Sequence, residues 1–197
     1  HLAAEAGVRQ SLKNPYQYID QNIRNTISVF EFAKKNKIKK IYYASSSSVY
    51  GDKSIYPSSE KIQINQPISI YGLTKISNEN IAHYYFKIFN INSIGFRFFT
   101  VYGPYGRPDM AYYSFLNKLK KNIPIVVFNR GVMKRDFTYI DDVIRAVTDV
   151  SKMKVTNYHL ILNIGKGKPD NLMNLIYLLQ KNYGKKFKIN FNSRIPK

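Results

Sequence analysis

A tyrosine and a lysine four residues apart, Tyr71 and Lys75, are the side chains of this sequence best suited to acid–base chemistry. On a helix, positions i and i+4 lie on one face about one turn apart, so a phenol and an ammonium group would stand side by side. A positive charge within a few ångström favours the phenolate and lowers a tyrosine pKa by about 1–3 units from its usual value of about 10. A Tyr-x-x-x-Lys spacing also arises by chance in a chain rich in both residues, so the context must support a catalytic role.

That context is a strand that runs directly into four serines. The segment Lys40–Ala44 is short, β-branched and aromatic, as is typical of a buried strand, and Ser45–Ser48 follow at once. Open α/β sheets bind their ligands at the carboxyl ends of the strands, and the helix that carries Tyr71 opens after this segment. A flexible linker is the alternative for a serine run, but the buried strand before it and Val49-Tyr50-Gly51 after it disfavour that interpretation.

Helical and strand-like segments alternate along the first half of the chain. A helix is predicted from Asn14, as its N-cap, with Pro15 at its first position, to the basic segment 34–37. After the serine run, a helix from near Tyr71 to Phe89 precedes a strand at Ile94–Phe99. This alternation predicts an α/β fold with a doubly wound parallel sheet flanked by helices.

A second region is predicted beyond Gly103–Pro108, a Gly- and Pro-rich segment that breaks the alternation. Its predicted elements are a helix at Ala111–Lys121, a strand at Ile125–Phe128, a turn at Asn129–Gly131, a strand at Phe137–Ile140, a helix started by Asp141-Asp142, a strand at Leu160–Ile164, a helix at Asn171–Asn182 and a strand at Phe187–Phe191. We interpret Asp141 and Asp142 as helix-capping rather than metal-binding residues, and the scattered histidines predict no metal site.

The composition limits the class of protein. A chain of 197 residues, 44% of them apolar, can form one or two domains with a real core. No apolar run approaches the roughly 20 residues of a membrane-spanning helix, and the first residues do not resemble a signal peptide, so no membrane partner is expected. The absence of cysteine agrees with a cytoplasmic location. The net charge of +19 suggests nucleic-acid binding, but lysine pairs spread over predicted helix ends favour a solvated surface.

Five blocks of the sequence carry a resemblance to a known family. They are His1–Ala4, Tyr43–Gly51, Tyr71–Lys75, Arg97–Met110 and Arg135–Asp142. In order and spacing they resemble the UDP-glucuronate 4-epimerases, NAD-dependent members of the extended short-chain dehydrogenase/reductase family.

The resemblance implies a Rossmann-like sheet with a smaller α/β substrate-binding region. Residues 1–100 would be the remainder of the NAD-binding domain, with 137–165 returning to it. Residues 101–136 and 166–197 would form the substrate-binding region, incomplete at its C-terminal end.

The resemblance also implies roles for individual residues. Tyr71 would be the catalytic base, Lys75 would bind the nicotinamide ribose and lower the Tyr71 pKa, and Ser46 would hydrogen-bond the sugar 4-hydroxyl. The residues implied at the NAD site are Leu2, Ala3, Ala4, Asn22, Ala44, Tyr71, Lys75 and Phe98.

Substrate contacts follow from the same resemblance. Ser47, Ser48, Thr100 and Arg107 would surround the uronate carboxylate, and Arg135 would grip the diphosphate. Arginine suits both groups because its planar fork donates two parallel hydrogen bonds.

The implied reaction is inversion at C4 of a UDP-sugar through a 4-keto intermediate, with UDP-glucuronate to UDP-galacturonate as the expected case. Related dehydratases place an Asp-Glu pair at the positions of Ser47 and Ser48, and related decarboxylases a glutamate at the second, so serines favour epimerisation. The alternatives are another nucleotide-sugar epimerase or dehydratase on the same scaffold, and a catalytically inactive fragment or basic binding protein.

The sequence departs from the family at both ends, and the departure at the beginning bears on the cofactor. It contains no G-x-x-G-x-x-G motif, and Gly103-x-x-Gly106 is interpreted only as a loop. His1–Ala4 resembles the end of the fourth family strand, so we expect an internal piece that neither binds NAD well nor turns over unless the missing part is supplied. The resemblance also implies a homodimer in the full-length form, through helices at 14–36 and 71–89.

Overall fold

The computed structural model describes residues 1–51, 57–64, 66–154 and 157–193. They form two compact units, one of residues 1–99 and 144–164 and one of residues 100–143 and 165–197. The division differs from the predicted one at residues 100, 137–143 and 165, which belong to the second unit. The reason is strand pairing, because Phe137–Tyr139 lies beside Thr100–Tyr102.

The elements follow one another along the chain as the alternating pattern predicts. The α-helices are α1 (Val8–Lys13), α2 (Pro15–Tyr18), α3 (Asn25–Lys35), α4 (Ile70–Phe89), α5 (Ala111–Lys120), α6 (Ile140–Lys152) and α7 (Leu172–Tyr183). The strands are β1 (Lys40–Ser46), β2 (Asn92–Phe98), β3 (Thr100–Tyr102), β4 (Ile125–Phe128), β5 (Lys134–Arg135), β6 (Phe137–Tyr139), β7 (His159–Ile164), β8 (Asp170–Asn171) and β9 (Ile189–Asn192). Among the described residues, no helix has the length and hydrophobicity of a membrane span.

The first unit is built on a parallel sheet with the strand order β1-β2-β7. Ile41 and Tyr43 of β1 face α3 and α4, and they pack with Phe30, Ala82 and other apolar residues in one core cluster. The neighbouring Tyr42 points to the opposite face, where its hydroxyl donates to the Ser151 carbonyl of α6 at 3.2 Å. Helices therefore cover both faces of a parallel sheet, which is the Rossmann-like α/β architecture predicted from the sequence.

The helix predicted as one continuous element from Asn14 to the basic segment 34–37 is interrupted. Residues Ile19–Arg24 form a π-helical segment between α2 and α3. Pro15 stands at the first helical position as predicted, but the Asn14 side chain makes no capping hydrogen bond. Single π-helical turns inside α-helices often occur at functional sites, and this one contains the buried Asn22.

The second unit contains three two-stranded sheets. β3 pairs with β6 and β4 with β9 in parallel, and β5 pairs with β8 antiparallel. Helices α5 and α7 supply Phe115, Leu119 and Ile176 to an apolar cluster that also contains Ile125 and Val127 of β4. Asp141 and Asp142 lie in the first turn of α6, which begins one residue earlier, at Ile140. The acidic pair thus favours the positive end of this helix without occupying its cap position.

Tyr43 provides a test of core packing in the first unit. Its ring lies over Gly95 of the neighbouring strand, where an added Cβ would come within 2.6 Å of the ring. Its hydroxyl is buried and has no hydrogen-bond partner among the described residues. Because a buried, unpaired hydroxyl costs about 1–3 kcal/mol, we expect Tyr43→Phe to raise the unfolding free energy by about 1 kcal/mol, measured by urea denaturation.

Tyr85→Phe is the matched control for this measurement. Its hydroxyl is paired, donating to Glu31 at 2.6 Å, so its removal should lower stability. A Tyr43→Phe variant that is less stable than the wild type would show that the Tyr43 hydroxyl is hydrogen-bonded in solution.

Candidate active site

The serines predicted to take part in catalysis and substrate binding lie at the carboxyl edge of the first-unit sheet. Ser46, the last residue of β1, lies in register with Phe98, the last residue of β2, which in turn lies opposite Ile164 of β7. Strand β1 therefore extends two residues beyond the predicted Lys40–Ala44 and includes the first two of the four serines. The next residues, Ser47–Tyr50, form a short 3-10 turn directly beyond the edge.

Tyr71 and Lys75 occupy the first two turns of α4 as predicted. Ser69 caps this helix, its side chain accepting the Gly72 N–H at 3.0 Å. The Lys75 ammonium group donates to the Ala44 carbonyl at 2.9 Å and lies 5.8 Å from the centre of the Tyr71 ring. The pair is thereby anchored to β1 two residues before Ser46, and the predicted cofactor residue Ala44 holds Lys75 in place.

Burial changes the acid–base properties of Lys75. Its side chain is only 3% exposed, and desolvation lowers the pKa of its ammonium group from 10.5 to about 8. The amine therefore remains mostly charged at pH 7 while standing close to its titration range. This is a property that the Tyr-Lys spacing alone did not reveal.

The serine turn lies directly against the start of α4. A Cβ added at Gly72 would come within 2.7 Å of the Ser48 carbonyl oxygen, so only glycine allows this approach. Ser46 is buried and its Oγ accepts the Ser48 N–H at 3.1 Å, which leaves its own O–H to donate. Ser47 and Ser48 are partly exposed. The structure thus brings Ser46, Ser47 and Ser48 together with the helix turn that carries Tyr71.

Asn22 stands behind this edge rather than on it. The residue is 1% exposed, and its amide donates to the Glu5 carbonyl at 3.0 Å and to Thr74 Oγ1 at 3.0 Å, while its oxygen accepts the Glu5 N–H at 2.8 Å. Both amide hydrogens are used inside the protein. These bonds tie the first residues of the chain to α4, and the place of Asn22 at the cofactor stays a prediction.

Leu2, Ala3 and Ala4 are exposed as a group. They follow His1, whose backbone nitrogen donates to the Tyr42 carbonyl at 2.8 Å and whose carbonyl accepts the Ala44 N–H at 3.0 Å. His1 thus pairs with β1 in the manner of a parallel strand. The three residues after it continue in the direction of the carboxyl end of β1, and their place at the cofactor stays a prediction.

The sequence analysis missed a buried ion pair at this edge. Arg97 of β2 and Glu79 of α4 are joined by two hydrogen bonds, and Tyr50 lies over the guanidinium group with its ring centre 4.9 Å away. Two signals were present in the sequence. Glu79 follows Lys75 by four residues on the same helix face, and Arg97 is a charged residue inside a predicted buried strand.

Three predicted substrate residues, Thr100, Arg107 and Arg135, belong to the second unit. Arg135 is exposed in β5, and Arg107 forms a two-pronged pair with Asp109 at 3.0 and 2.5 Å. Thr100 and Arg135 are linked through the buried Asp136. This residue directly follows Arg135, and its backbone carbonyl accepts the Thr100 N–H at 3.0 Å.

The Asp136 carboxylate also fixes the turn after β7. It accepts the Lys166 N–H at 2.8 Å and the Gly167 N–H at 2.6 Å, together with the Thr138 hydroxyl at 3.0 Å. These bonds satisfy a carboxylate that would be costly to bury unpaired. Within the described residues, no group of three His, Cys, Asp or Glu side chains is arranged to hold a metal ion.

Comparison with known proteins relates this site to one family. A family profile described as NAD dependent epimerase/dehydratase matches residues 1–165. An uncharacterized protein of Methanocaldococcus jannaschii is 49% identical over 97% of this chain and 58% of its own length. A UDP-glucuronate 4-epimerase of Thermodesulfobacterium geofontis is 40% identical over 95% of this chain and 57% of its own length.

A solved structure agrees with these relatives. UDP-glucuronic acid 4-epimerase from Bacillus cereus, in complex with UDP-glucuronic acid and NAD, superposes with a TM-score of 0.92 at 38% identity. The match covers 98% of this chain and 62% of the other. The chain thus spans about three fifths of the length of the relatives it matches.

The side chains at the carboxyl edge fit the nicotinamide end of NAD. Lys75 supplies a buried ammonium group suited to ribose hydroxyls, Tyr71 stands one turn away, and Ala3 and Ala4 are exposed residues with small side chains. Phe98 adds a partly exposed aromatic surface at the end of β2. These residues, with Leu2, would hold the cofactor on the described part of the chain.

The buried lysine predicts a stability that depends on pH. A pKa lowered from 10.5 to about 8 corresponds to a cost of about 3 kcal/mol below pH 8, since one pKa unit is about 1.36 kcal/mol. The cost declines as pH rises from about 8 to 10.5, where the unfolded chain also loses the proton. Allowing about 1 kcal/mol for the lost bond to Ala44, we expect Lys75→Met to stabilise the chain by about 2 kcal/mol at pH 7.

Urea unfolding at several pH values between 7 and 10.5 measures this difference. The advantage of Lys75→Met over the wild type should shrink as pH rises through this range. Lys87→Met, which removes an exposed lysine from the same helix, is the matched control. A constant advantage, or a destabilised Lys75→Met, would contradict the lowered pKa.

Proposed function

Because the chain belongs to the NAD dependent epimerase/dehydratase family, we propose that it forms the catalytic part of a UDP-sugar 4-epimerase that converts UDP-glucuronate to UDP-galacturonate. The observation that carries the proposal is the Tyr71–Lys75 pair, anchored to Ala44 beside Ser46 at the carboxyl edge of the sheet. This edge is where open α/β sheets bind ligands. Two of the three relatives described above, from Thermodesulfobacterium geofontis and Bacillus cereus, carry UDP-glucuronate 4-epimerase names, which supports the choice of substrate.

In the proposed reaction, the residues of this chain move one proton and hold the sugar. NAD, when bound, takes the hydride from C4 and returns it to the opposite face of the sugar. The Tyr71 phenolate oxygen accepts the proton of the C4 hydroxyl. It returns the proton after the 4-keto sugar has rotated to present its other face. Ser46 donates its O–H to the oxygen on C4. Charged Lys75 stabilises the phenolate and orients the nicotinamide ribose.

Recognition of the sugar nucleotide is assigned to five side chains, in keeping with the family resemblance. Ser47, Ser48, Thr100 and Arg107 are proposed to contact the uronate carboxylate, and Arg135 the diphosphate. Arg135 supports this assignment because it is exposed on a strand whose next residue, Asp136, is rigidly held by backbone donors. A fixed backbone limits the freedom that an arginine loses when it binds.

A UDP-sugar whose sugar ring carries no carboxylate is the second candidate substrate. The specific observation in its favour is that Arg107 already binds the Asp109 carboxylate through two hydrogen bonds. A uronate would have to displace that carboxylate, whereas a sugar with a hydroxymethyl group would not. UDP-glucose is therefore the substrate with which UDP-glucuronate is compared.

The test is conversion of UDP-glucuronate to UDP-galacturonate by the chain itself and by a completed chain. The completion uses the parts of the Methanocaldococcus relative that lie outside the matched region. We expect activity in the completed protein, and a drop in kcat of at least about a hundredfold in its Tyr71→Phe variant because the proton acceptor is lost. Nucleotide-sugar binding, measured by calorimetry, should be retained in that variant.

Two further arms separate the candidate substrates. UDP-glucose replaces UDP-glucuronate in one, and Arg107→Met is assayed with both sugars in the other. If the uronate is the substrate, Arg107→Met should raise its KM about tenfold or more, as expected for loss of a charge-assisted contact. A folded, completed protein that inverts only UDP-glucose would overturn the uronate assignment, and one that inverts neither sugar would overturn the epimerase proposal.

A homodimer through α3 and α4 is part of the proposal. The two helices pack side by side, and they expose the large apolar side chains Phe32, Tyr84 and Ile88, each at least half exposed. A second copy of the chain would cover this surface. We expect a dimer in sedimentation velocity and a monomer for Ile88→Lys, and a monomeric wild type would rule the interface out.

The cytoplasmic location remains a prediction.

A further inference from the structure

The two halves of α4 are held against the sheet by different forces. Toward its C-terminal end, Ala82 and Tyr85 are buried in the apolar cluster of the first unit. The buried residues of the half that carries Tyr71 are instead glycine or polar, namely Gly72, Thr74, Lys75, Asn78 and Glu79. Apolar packing resists separation but allows small sliding movements, whereas hydrogen bonds fix distance and direction.

Glu79 makes the most extensive of these polar contacts. Its carboxylate accepts from Arg97 Nε at 2.9 Å and Nη2 at 2.7 Å, and from Ser45 Oγ at 2.5 Å. Both charged side chains are almost fully buried, with 4% of Arg97 and 7% of Glu79 exposed. The pair is two-pronged, which adds geometric definition to its strength.

The network continues from Arg97 to the residues beyond the serine turn. Arg97 Nη1 donates to the Tyr50 hydroxyl at 2.9 Å, and that hydroxyl donates to Asn163 Oδ1 at 2.7 Å. Asn163 of β7 then donates from its side chain to the Ser58 carbonyl at 2.9 Å and from its backbone to Glu60 at 2.8 Å. One connected set of bonds therefore joins α4, all three strands of the sheet and the segment after the serine turn.

Four members of the set lie within four residues of a proposed site residue. Ser45 precedes Ser46, Arg97 precedes Phe98, and Tyr50 ends the turn that begins with Ser47. Glu79 lies one helical turn beyond Lys75 and two beyond Tyr71 on the same face. These bonds therefore join the segments that carry Tyr71, Lys75, Ser46 and Phe98.

A purely stabilising role does not account for this arrangement. Buried ion pairs contribute little net stability compared with apolar residues of the same volume, because removing two charges from water costs about as much as their attraction returns. What they provide is a fixed geometry. The apolar cluster already attaches the other half of α4 to the same sheet, so the ion pair is not needed merely to attach the helix.

We propose that Glu79 and Arg97, with Ser45 and Tyr50 as their hydroxyl partners, are positioning residues that set the Tyr71 hydroxyl against the Ser46 hydroxyl. They do not touch the substrate. The inference rests on the proposed function for its catalytic consequence, but the positional effect can be measured without turnover.

The kinetic test uses two variants that keep the ion pair. Tyr50→Phe removes the hydroxyl between Arg97 and Asn163, and Ser45→Ala removes the hydroxyl on Glu79. In the completed protein we expect each to lower kcat about tenfold or more with KM changed less than about twofold, since displacement of reacting groups by about 1 Å can cost about a hundredfold. Arg97→Lys keeps the positive charge but cannot make the two parallel hydrogen bonds of the guanidinium group. It should lower kcat at least as much as Tyr50→Phe and Ser45→Ala do.

Matched controls remove buried hydroxyl bonds elsewhere in the first unit. Tyr85→Phe loses the 2.6 Å bond to Glu31, and Ser93→Ala loses the 2.8 Å contact with His159 Nδ1. Both should lower the melting temperature by amounts similar to the test variants and leave kcat within about twofold. Test variants that lower the melting temperature but leave kcat unchanged at a temperature where they are folded would overturn the proposal.

Hydrogen exchange separates this inference from the proposed function. Amides of residues 46–51 and 70–75 should exchange faster in Tyr50→Phe and Ser45→Ala than in the wild type, while the two controls leave these segments unchanged. This result would support positioning even if the wild type inverts none of the sugars tested. Unchanged exchange in both segments would refute positioning whatever the activity of the wild type.

Discussion

The hydrogen bond from the Lys75 ammonium group to the Ala44 carbonyl joins α4 to β1 at the carboxyl end of the sheet. The proposals for the site depend on this contact, because it fixes the helix turn next to Tyr71 to a strand that ends two residues later in Ser46. Burial of the same side chain, rather than this hydrogen bond, lowers the pKa of its amine to about 8. The hydrogen bond thus sets the position of the candidate base, and burial sets the charge beside it.

Burying an amine in this way works against stability. The folded chain bears an electrostatic cost at neutral pH that a methionine or leucine at the same place would avoid. Natural proteins keep such costs where a function requires them, and functional sites are where local rules of stability are most often broken. The edge of the sheet shows this pattern, with Lys75, Glu79 and Arg97 buried close together and an apolar core at the other end of α4.

The division of α4 suggests how the fold separates scaffold from site. Phe30, Tyr43 and Tyr85 fill the space between the sheet and two helices, and their packing does not require exact orientation. Beyond them, Asn22, Lys75 and Glu79 each make directional bonds to a different segment of the first unit. Small shifts of side chains in the core therefore need not displace the proposed catalytic residues. In the second unit, Asp136 plays a comparable part for Thr100 and Arg135.

The sequence by itself determined the alternation of helices and strands, the parallel α/β class and the Tyr71–Lys75 pair, because these depend on residue periodicity and on neighbours within one helical turn. It also placed Ser46 at a strand end. It did not reveal the π-helical turn at Ile19–Arg24, the burial of Asn22 or the Glu79–Arg97 pair.

Those features depend on contacts between residues far apart in the chain, such as Asn22 with Thr74 and Tyr50 with Asn163. The placement of residues 137–143 was missed for the same reason, since it follows from the pairing of β6 with β3. Local sequence specifies which segments become helices and strands. Only tertiary packing decides which polar groups lose water, and so which of them must find partners and take on shifted pKa values.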